Sequence, residues 1–258
     1  MANDFSGDSD CVALYNFESG ALTTDSKGSN TLTDNNTVGT DTVNYKQGSA
    51  SADFELSNDE SFSRTDANLS SDFPFKSGGS EVIISIATWF VLESFGADAP
   101  LLNKYSTTGD NRGFCLRTES TDNHIRLIIG YNSGASFESI QITDTDSIDI
   151  NTWYHLGVTY SRSTRAWTAR LWDDTAESVT SNNSGTGSQT VYINTIPVYI
   201  GCYGQEVNYF DGRMDELVVF NDILTSTEID EIRTGTYGAA SGLSIPVAMN
   251  YYKQLRNK

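Results

Sequence analysis

The stretch 198–232 constrains this chain more than any other, because it places four structural signals in a fixed order. Val198, Tyr199 and Ile200 form a short apolar run stopped by Gly201. Asp211-Gly212 is a turn signal, so a hairpin is expected around it. Met214, Leu217, Val218, Val219 and Phe220 form a second run, β-branched and aromatic in character. Thr225 and Glu228 then stand three apart as a capping box, which opens a short helix. Ile229 and Ile232 would face the core, and Gly235 fits the helix stop.

The rest of the chain reads the same way. Short apolar tracts alternate with Ser-, Thr-, Asn-, Asp- and Gly-rich turns, and no long helical period appears. At 258 residues, a single β-sandwich is long enough to hold a sizeable core. The formal net charge is −18, which repels phosphate backbones and argues against a nucleic-acid binder. Such acidity serves solubility first, and cation binding or assembly second. Cys11, Cys115 and Cys202 have no metal-type spacing and read as small buried side chains. No run is long enough to span a bilayer. Residues 1–6 have neither a basic start nor an apolar core, so no signal peptide is expected there. The expected place of synthesis is the cytoplasm, with a virus particle as one route out.

In chain order, 11–18 is the first expected strand, 31–33 the second and 52–54 the next. The tract 58–79 is polar and loop-rich, anchored by Phe62, Phe73 and Phe75. Residues 82–91 are the longest β-branched run and are expected to form a central strand, buried on both faces, with Trp89 in the core. Three further runs, 101–104, 113–117 and 124–131, read as a meander, and 137–142 alternates with one wet face. Strands follow at 153–160 and 165–172, and composition makes 182–188 a flexible loop. Leu243, Ile245, Val247, Met249 and Tyr251 alternate as in an edge strand, followed by a basic end that could dock on an acidic neighbour.

Several of these pieces carry a family pattern. Phe210, Gly212, Asp215, Glu216, Leu224, Thr225, Glu228 and Ile229 stand where laminin-G-like and concanavalin-A-like jelly rolls close their sandwich. Trp153, His155 and Tyr160 stand in that family's Trp-x-His strand, and Ala87 and Trp89 in its Ala-x-Trp strand. The sequence therefore resembles that family over roughly residues 11 to 235, although Trp172-Asp173-Asp174 lacks the glycine of the family's hairpin. The resemblance implies an all-β, antiparallel two-sheet sandwich (a jelly roll) with one short C-terminal helix. The expected organisation is an N-terminal arm over 1–10, the domain over 11–240 and an extended tail over 241–258.

The fold alone does not give function. A retaining glycosidase needs two carboxyl groups a few Å apart, and i, i+2 spacing on a strand supplies them. The laminarinase-like branch uses a Glu-x-Asp-x-x-Glu strand, and no glutamate here begins that spacing. His124 and His155 come with no Ser or Cys nucleophile signature. No catalytic residue is expected. The expected function is non-catalytic binding or adhesion, as a virion-surface component or a free lectin module, with a glycoside hydrolase or lyase as the enzymatic alternative. Expected partners are a carbohydrate or protein surface and further copies of the chain, with neither nucleic acid nor membrane insertion. Trp172 and Trp167 are the candidate sugar-stacking residues, with a core position the alternative for Trp167. The resemblance also implies a structural calcium ion near the closing strand, held by Asp215, Glu18 and, less directly, Asp25; hydrogen bonding of Asp215 to turn amides is the rival reading. The acids Asp144, Asp146 and Asp149 lack the glycine and distal glutamate of an EF-hand and read as a solvated loop.

Overall fold

A computed structural model describes residues 2–95, 98–144, 148–204 and 207–238. In chain order the strands are β1 Cys11–Tyr15, β2 Thr33–Asn35, β3 Gly39–Asp41, β4 Ser51–Phe54, β5 Ser61–Arg64, β6 Ile83–Leu92, β7 Ala99–Tyr105 and β8 Arg112–Thr118. They continue as β9 Ile125–Tyr131, β10 Ser136–Gln141, β11 Tyr154–Ser161, β12 Ala166–Asp173, β13 Ser178–Thr186, β14 Val198–Ile200 and β15 Gly212–Phe220. One helix, α1, spans Ser226–Thr234.

The strands form two antiparallel sheets. The eight-stranded sheet runs β13-β12-β11-β6-β15-β4-β3, with β1 also paired to β15; the seven-stranded sheet runs β10-β9-β8-β7-β14-β5-β2. Their inner faces share one core, with Phe54, Phe62, Phe90, Phe114, Tyr160, Phe210 and Met214 among its buried members. The ten-residue β6 lies between β11 and β15 and is buried almost throughout, as its sequence predicts. The meander is present as β7-β8-β9-β10, and β10 alternates half-buried and exposed residues.

The outer face of the eight-stranded sheet is covered by α1 and the N-terminal residues. Thr225 and Glu228 form the capping box, and Gly235 ends the helix at φ 71°. Ile229 and Ile232 face the sheet and pack with Phe5, Ala87, Val218, Phe220 and Tyr237. Gly157 admits the helix, because a Cβ there would stand 2.5 Å from the Ile229 side chain. The residues read as an N-terminal arm thus lie against the sandwich, with Asp4 N–H donating to the Tyr237 carbonyl at 2.8 Å.

Four local expectations are corrected. The runs at 198–200 and 214–220 do not form a hairpin, because β14 and β15 belong to different sheets. Asp211-Gly212 instead carries the chain across, with Gly212 at φ 142° and no room for a Cβ, which would meet the Val91 carbonyl at 2.1 Å. The second strand lies at Thr33–Asn35 rather than 31–33, in register with β5. The tract 58–79 contains that strand, β5, which the polar composition concealed. Residues 182–186, expected in a loop, belong to β13, since pairing to β12 overrides weak intrinsic preference. The three cysteines are buried, and no disulfide joins them. The expectations for the tail at 241–258 and for Asp146 fall outside the described residues. Among the described residues, no helix is long and apolar enough to cross a membrane.

Candidate functional site

One cross-strand row on the outer face of the eight-stranded sheet draws the sequence's candidates together. Asp215 on β15 pairs with Trp89 on β6, Trp89 with His155 on β11, and His155 with Trp172 on β12. Directly opposed residues point to the same face. Trp89 and His155 meet edge-to-face, 5.1 Å between ring centroids. Trp167 is five positions from Trp172 on β12, an odd step, and so faces inward. It belongs to the core, packed against Gly185, where any Cβ would touch its ring.

Two cations cover this row. The Lys46 ammonium lies 4.6 Å from the Trp89 centroid and 2.8 Å from Asp174 Oδ2. The Arg233 guanidinium, from the last turn of α1, stacks 3.7 Å above the half-buried Trp172 ring. Its Nε is buried without a hydrogen bond, 3.6 Å from Asp230. Two open depressions flank this pair and share Lys46, Arg233 and Thr234. One, about 390 Å³, is lined by Asn3, Asn16, Glu18, Gln47 and Glu216; the other, about 510 Å³, by Trp89, Trp172, Asp174 and Glu177. Together they form one polar groove with an aromatic floor at one end.

Buried polar atoms without a hydrogen-bond partner concentrate beneath this groove. Of ten such side-chain atoms among the described residues, five are here: Trp89 Nε1, both His155 nitrogens, Asp215 Oδ1 and Arg233 Nε. Buried polar groups are normally satisfied, so each of these atoms calls for a partner, a water or a ligand group. Burial, with Arg233 adding to it, lowers the His155 pKa to about 3 and keeps the ring neutral.

The acidic end is shaped by a β-bulge. Register shifts between Asp215 and Val218, with Glu216 at φ 47°. The extra residue turns Glu216 outward beside Asp215, where a regular strand would send it into the core. Asp215 is fully buried; its Oδ2 accepts the Lys46 and Gln47 amides at 2.7 and 2.8 Å. Burial pushes its carboxyl up to about 7 despite those bonds. Burial also raises the Glu216 pKa, and Glu216 accepts Asn3 Nδ2 at 2.5 Å. Glu18 raises both through its charge while accepting the Ser49 amide and hydroxyl. Asp25 lies elsewhere. Its two oxygens receive the amides of Leu14, Lys27, Gly28 and Asn30, which fixes the turn after β1. Among the described residues, no three His, Cys, Asp or Glu side chains are placed to hold a metal ion.

Sequence reading singled out Trp172, Asp215 and Glu18 but not the residues that bind them into one place. Glu216 stood in the closing family pattern without a site role, and neither Lys46 nor Arg233 was expected at the site, because their positions depend on strand register and helix docking. His155 was legible as a buried member of a diagnostic strand, but its place beside Trp172 was not.

The two antiparallel sheets define a lectin-like sandwich. The chain belongs to the concanavalin A-like lectin/glucanase superfamily, whose laminin-G-type family model matches residues 62–230. Its fold is similar to domain 4 of an extracellular arabinanase from Geobacillus stearothermophilus, solved in complex with arabinotriose. The two share 15% identity at a TM-score of 0.61, over 87% of this chain and 98% of that one. It is also similar to the binding domain of Paraclostridial mosquitocidal protein 1 (18% identity, TM-score 0.60, 87% of this chain and 52% of that one). A third similar structure is the enzymatically active domain of tailspike protein 2 from bacteriophage CBA120 (13%, 0.54, 81% and 30%). The chain thus spans nearly all of the arabinanase domain, about half of the mosquitocidal chain and under a third of the tailspike chain. A comparison with curated proteins found no match.

Proposed function

We propose that this chain is a non-catalytic carbohydrate-binding domain whose ligand lies in the groove over Trp89, His155 and Trp172. The observation that carries this reading is the convergence of an aromatic floor, two covering cations and five unpartnered buried polar atoms at one place. Sugars offer apolar ring faces and directional hydroxyls; Asn3, Lys46, Gln47 and Asp174 line the groove for the hydroxyls, and of the three rings only the half-buried Trp172 has surface to offer a ring face. The same groove serves an adhesion or virion-surface component as well as a free lectin module; the two differ in assembly, not in the site. Catalysis is disfavoured because the carboxyl with the strongest upward shift, Asp215, has no exposed surface from which to protonate a glycosidic oxygen.

The test is a glycan screen followed by titration calorimetry with the best oligosaccharide. Trp172→Ala should weaken binding about 30-fold or more, the threshold of a hot-spot aromatic, with the melting temperature little changed. A screen without ligands, or a ligand indifferent to Trp172→Ala, removes the groove from the account. Release of reducing sugar from that oligosaccharide by purified protein would overturn the non-catalytic part.

A calcium ion is proposed on narrower ground than the sequence suggested, with Asp215 and Glu18 as its carboxylates and Asp25 excluded. The buried Asp215 Oδ1, a hard oxygen with no partner, favours it. Since calcium takes six to eight oxygens, carbonyls and water must supply the remainder. Millimolar calcium should raise the wild-type melting temperature, by an amount corresponding to about 2.7 kcal/mol at a hundredfold excess over Kd. Asp215→Asn keeps an acceptor for the Lys46 and Gln47 amides but loses the charge, and should not respond. Identical wild-type melts in calcium and in chelator exclude the ion.

A further inference from the structure

We propose that Arg233 is a gate on the groove: its guanidinium holds the face of Trp172 in the free protein, and an uncharged sugar displaces it onto Glu177. This rests on the groove being the sugar site and adds what the site admits. Of the three rings in the row only Trp172 is half-buried, and the Arg233 guanidinium lies 3.7 Å from its centroid. A sugar stacking on that face meets Arg233 first. Little else holds Arg233 there. Its one ion-pair contact among the described residues is Asp230, at 3.6 Å, and Asp230 is already held by Arg170 at 3.0 and 2.6 Å. The Arg233 Nε is buried with no hydrogen bond. A cation–π contact between partly exposed groups is weak enough for a ligand to replace.

The carboxylate that can receive Arg233 stands in the same depression. Glu177 lines it together with Trp172 and Arg233, is exposed, and has no hydrogen bond or ion pair among the described residues. The turn between β12 and β13 fixes its place. Asp173 accepts the Thr175 and Ala176 amides at 2.8 and 2.9 Å, and the Asp174 amide donates to the Trp153 carbonyl at 3.0 Å. Glu177 itself holds φ 49°, which glycine would take without strain, so a side chain is kept here against the backbone's preference. Its neighbour Asp174 is bound to Lys46. The acids at the other end are engaged too: Glu216 accepts Asn3, and Glu18 accepts Ser49. Moving Arg233 onto Glu177 gives every charged side chain at the aromatic end a partner of opposite sign, Lys46 with Asp174 and Arg233 with Glu177. No charge remains to hold a charged sugar, and a chain with a net charge of −18 repels acidic ones. The ligand class that fits is an uncharged sugar, whose ring takes the face that the guanidinium leaves.

The test is titration calorimetry of the full chain with three sets of oligosaccharides: uncharged, uronic-acid-containing and amino-sugar-containing. The tightest binder should be uncharged. With that sugar, Arg233→Ala should bind about two- to fivefold tighter than the wild type, the strength of an exposed cation–π contact. Glu177→Gln should weaken binding about two- to fivefold, the strength of an exposed ion pair, and should have no effect once Arg233 is absent. In sugar-free protein, acrylamide should quench Trp172 fluorescence more in Arg233→Ala than in the wild type, with Trp172→Phe subtracting the other three tryptophans. Four results would each overturn the gate while Trp172→Ala still reports on the groove: Arg233→Ala that fails to tighten binding, a Glu177→Gln effect that survives without Arg233, equal quenching, or a charged sugar as the tightest binder. A wild type that binds none of the three sets removes groove and gate together.

Discussion

Asp66→Ala should destabilise the fold by about 3–5 kcal/mol, the cost of stranding a buried charge whose partner has been removed. Asp66 and Lys104 form an ion pair with side chains 8% and 5% exposed, the most buried pair among the described residues. Lys104 lies on β7 opposite Phe114, so its side chain points inward, beneath the loop that connects β5 to β6. Asp66 is in that loop and also accepts the Ser77 amide at 3.1 Å, while its carbonyl accepts Lys76 Nζ at 2.6 Å. Burial lowers the Lys104 pKa, with Asp66 opposing the shift. Removing the carboxylate therefore leaves an ammonium in the core and frees the loop at once. Lys104→Met alone should be similarly harmful, because it strands the carboxylate. The double variant should lose much less than the sum of the two, since apolar replacement of a whole buried pair is often tolerated. Urea unfolding of the four proteins measures this coupling. An Asp66→Ala variant within about 1 kcal/mol of wild type would mean that water reaches the pair.

This pair shows what the sequence could and could not disclose. The sandwich was legible because its signals are local. β6 is a ten-residue apolar run, Thr225 and Glu228 cap α1, and Trp153, His155 and Tyr160 mark one strand. Register was not local, and errors followed wherever it decided the outcome. β14 and β15 are adjacent in sequence and apolar, yet only their partners in opposite sheets reveal that they form no hairpin. β13 is too polar to announce itself as a strand and exists through its ladder with β12. The groove follows the same rule. Asp215, Trp89, His155 and Trp172 come from four separate segments, and only pairing sets them in one row. Asp25 failed as a companion of Asp215 for a local reason. A carboxylate at the start of a tight turn is surrounded by amides, and four of them occupy it.

His155→Phe should remove a pH dependence that the wild type carries across the acidic range. His155 is 1% exposed, neither ring nitrogen has a hydrogen-bond partner, and burial together with Arg233 lowers its pKa from 6.5 to about 3. Asp230 pulls weakly the other way. The unfolded chain therefore binds one more proton than the native state between about pH 3 and 6.5. Stability from the neutral ring is complete above 6.5 and is lost as pH falls toward 3. Asp215 contributes with the opposite sign. Its carboxyl, raised from 3.8 to about 7, favours the fold below 3.8 and loses that contribution as pH rises through 7. The two overlap, so the wild-type curve alone cannot separate them, whereas a comparison with the variant can. Phenylalanine keeps an aromatic edge against Trp89 and has no nitrogen to protonate. Its larger ring adds a packing cost that is constant with pH and leaves the slope unchanged. The difference in unfolding free energy between variant and wild type should move in the variant's favour by about 2–3 kcal/mol from pH 7.5 to pH 4.5, at about 1.4 kcal/mol per pH unit below the unfolded pKa. Urea titrations at the two pH values read this directly. An unchanged difference would show that His155 titrates in the native state as it does in the unfolded chain, and with it that the groove floor is wet rather than sealed.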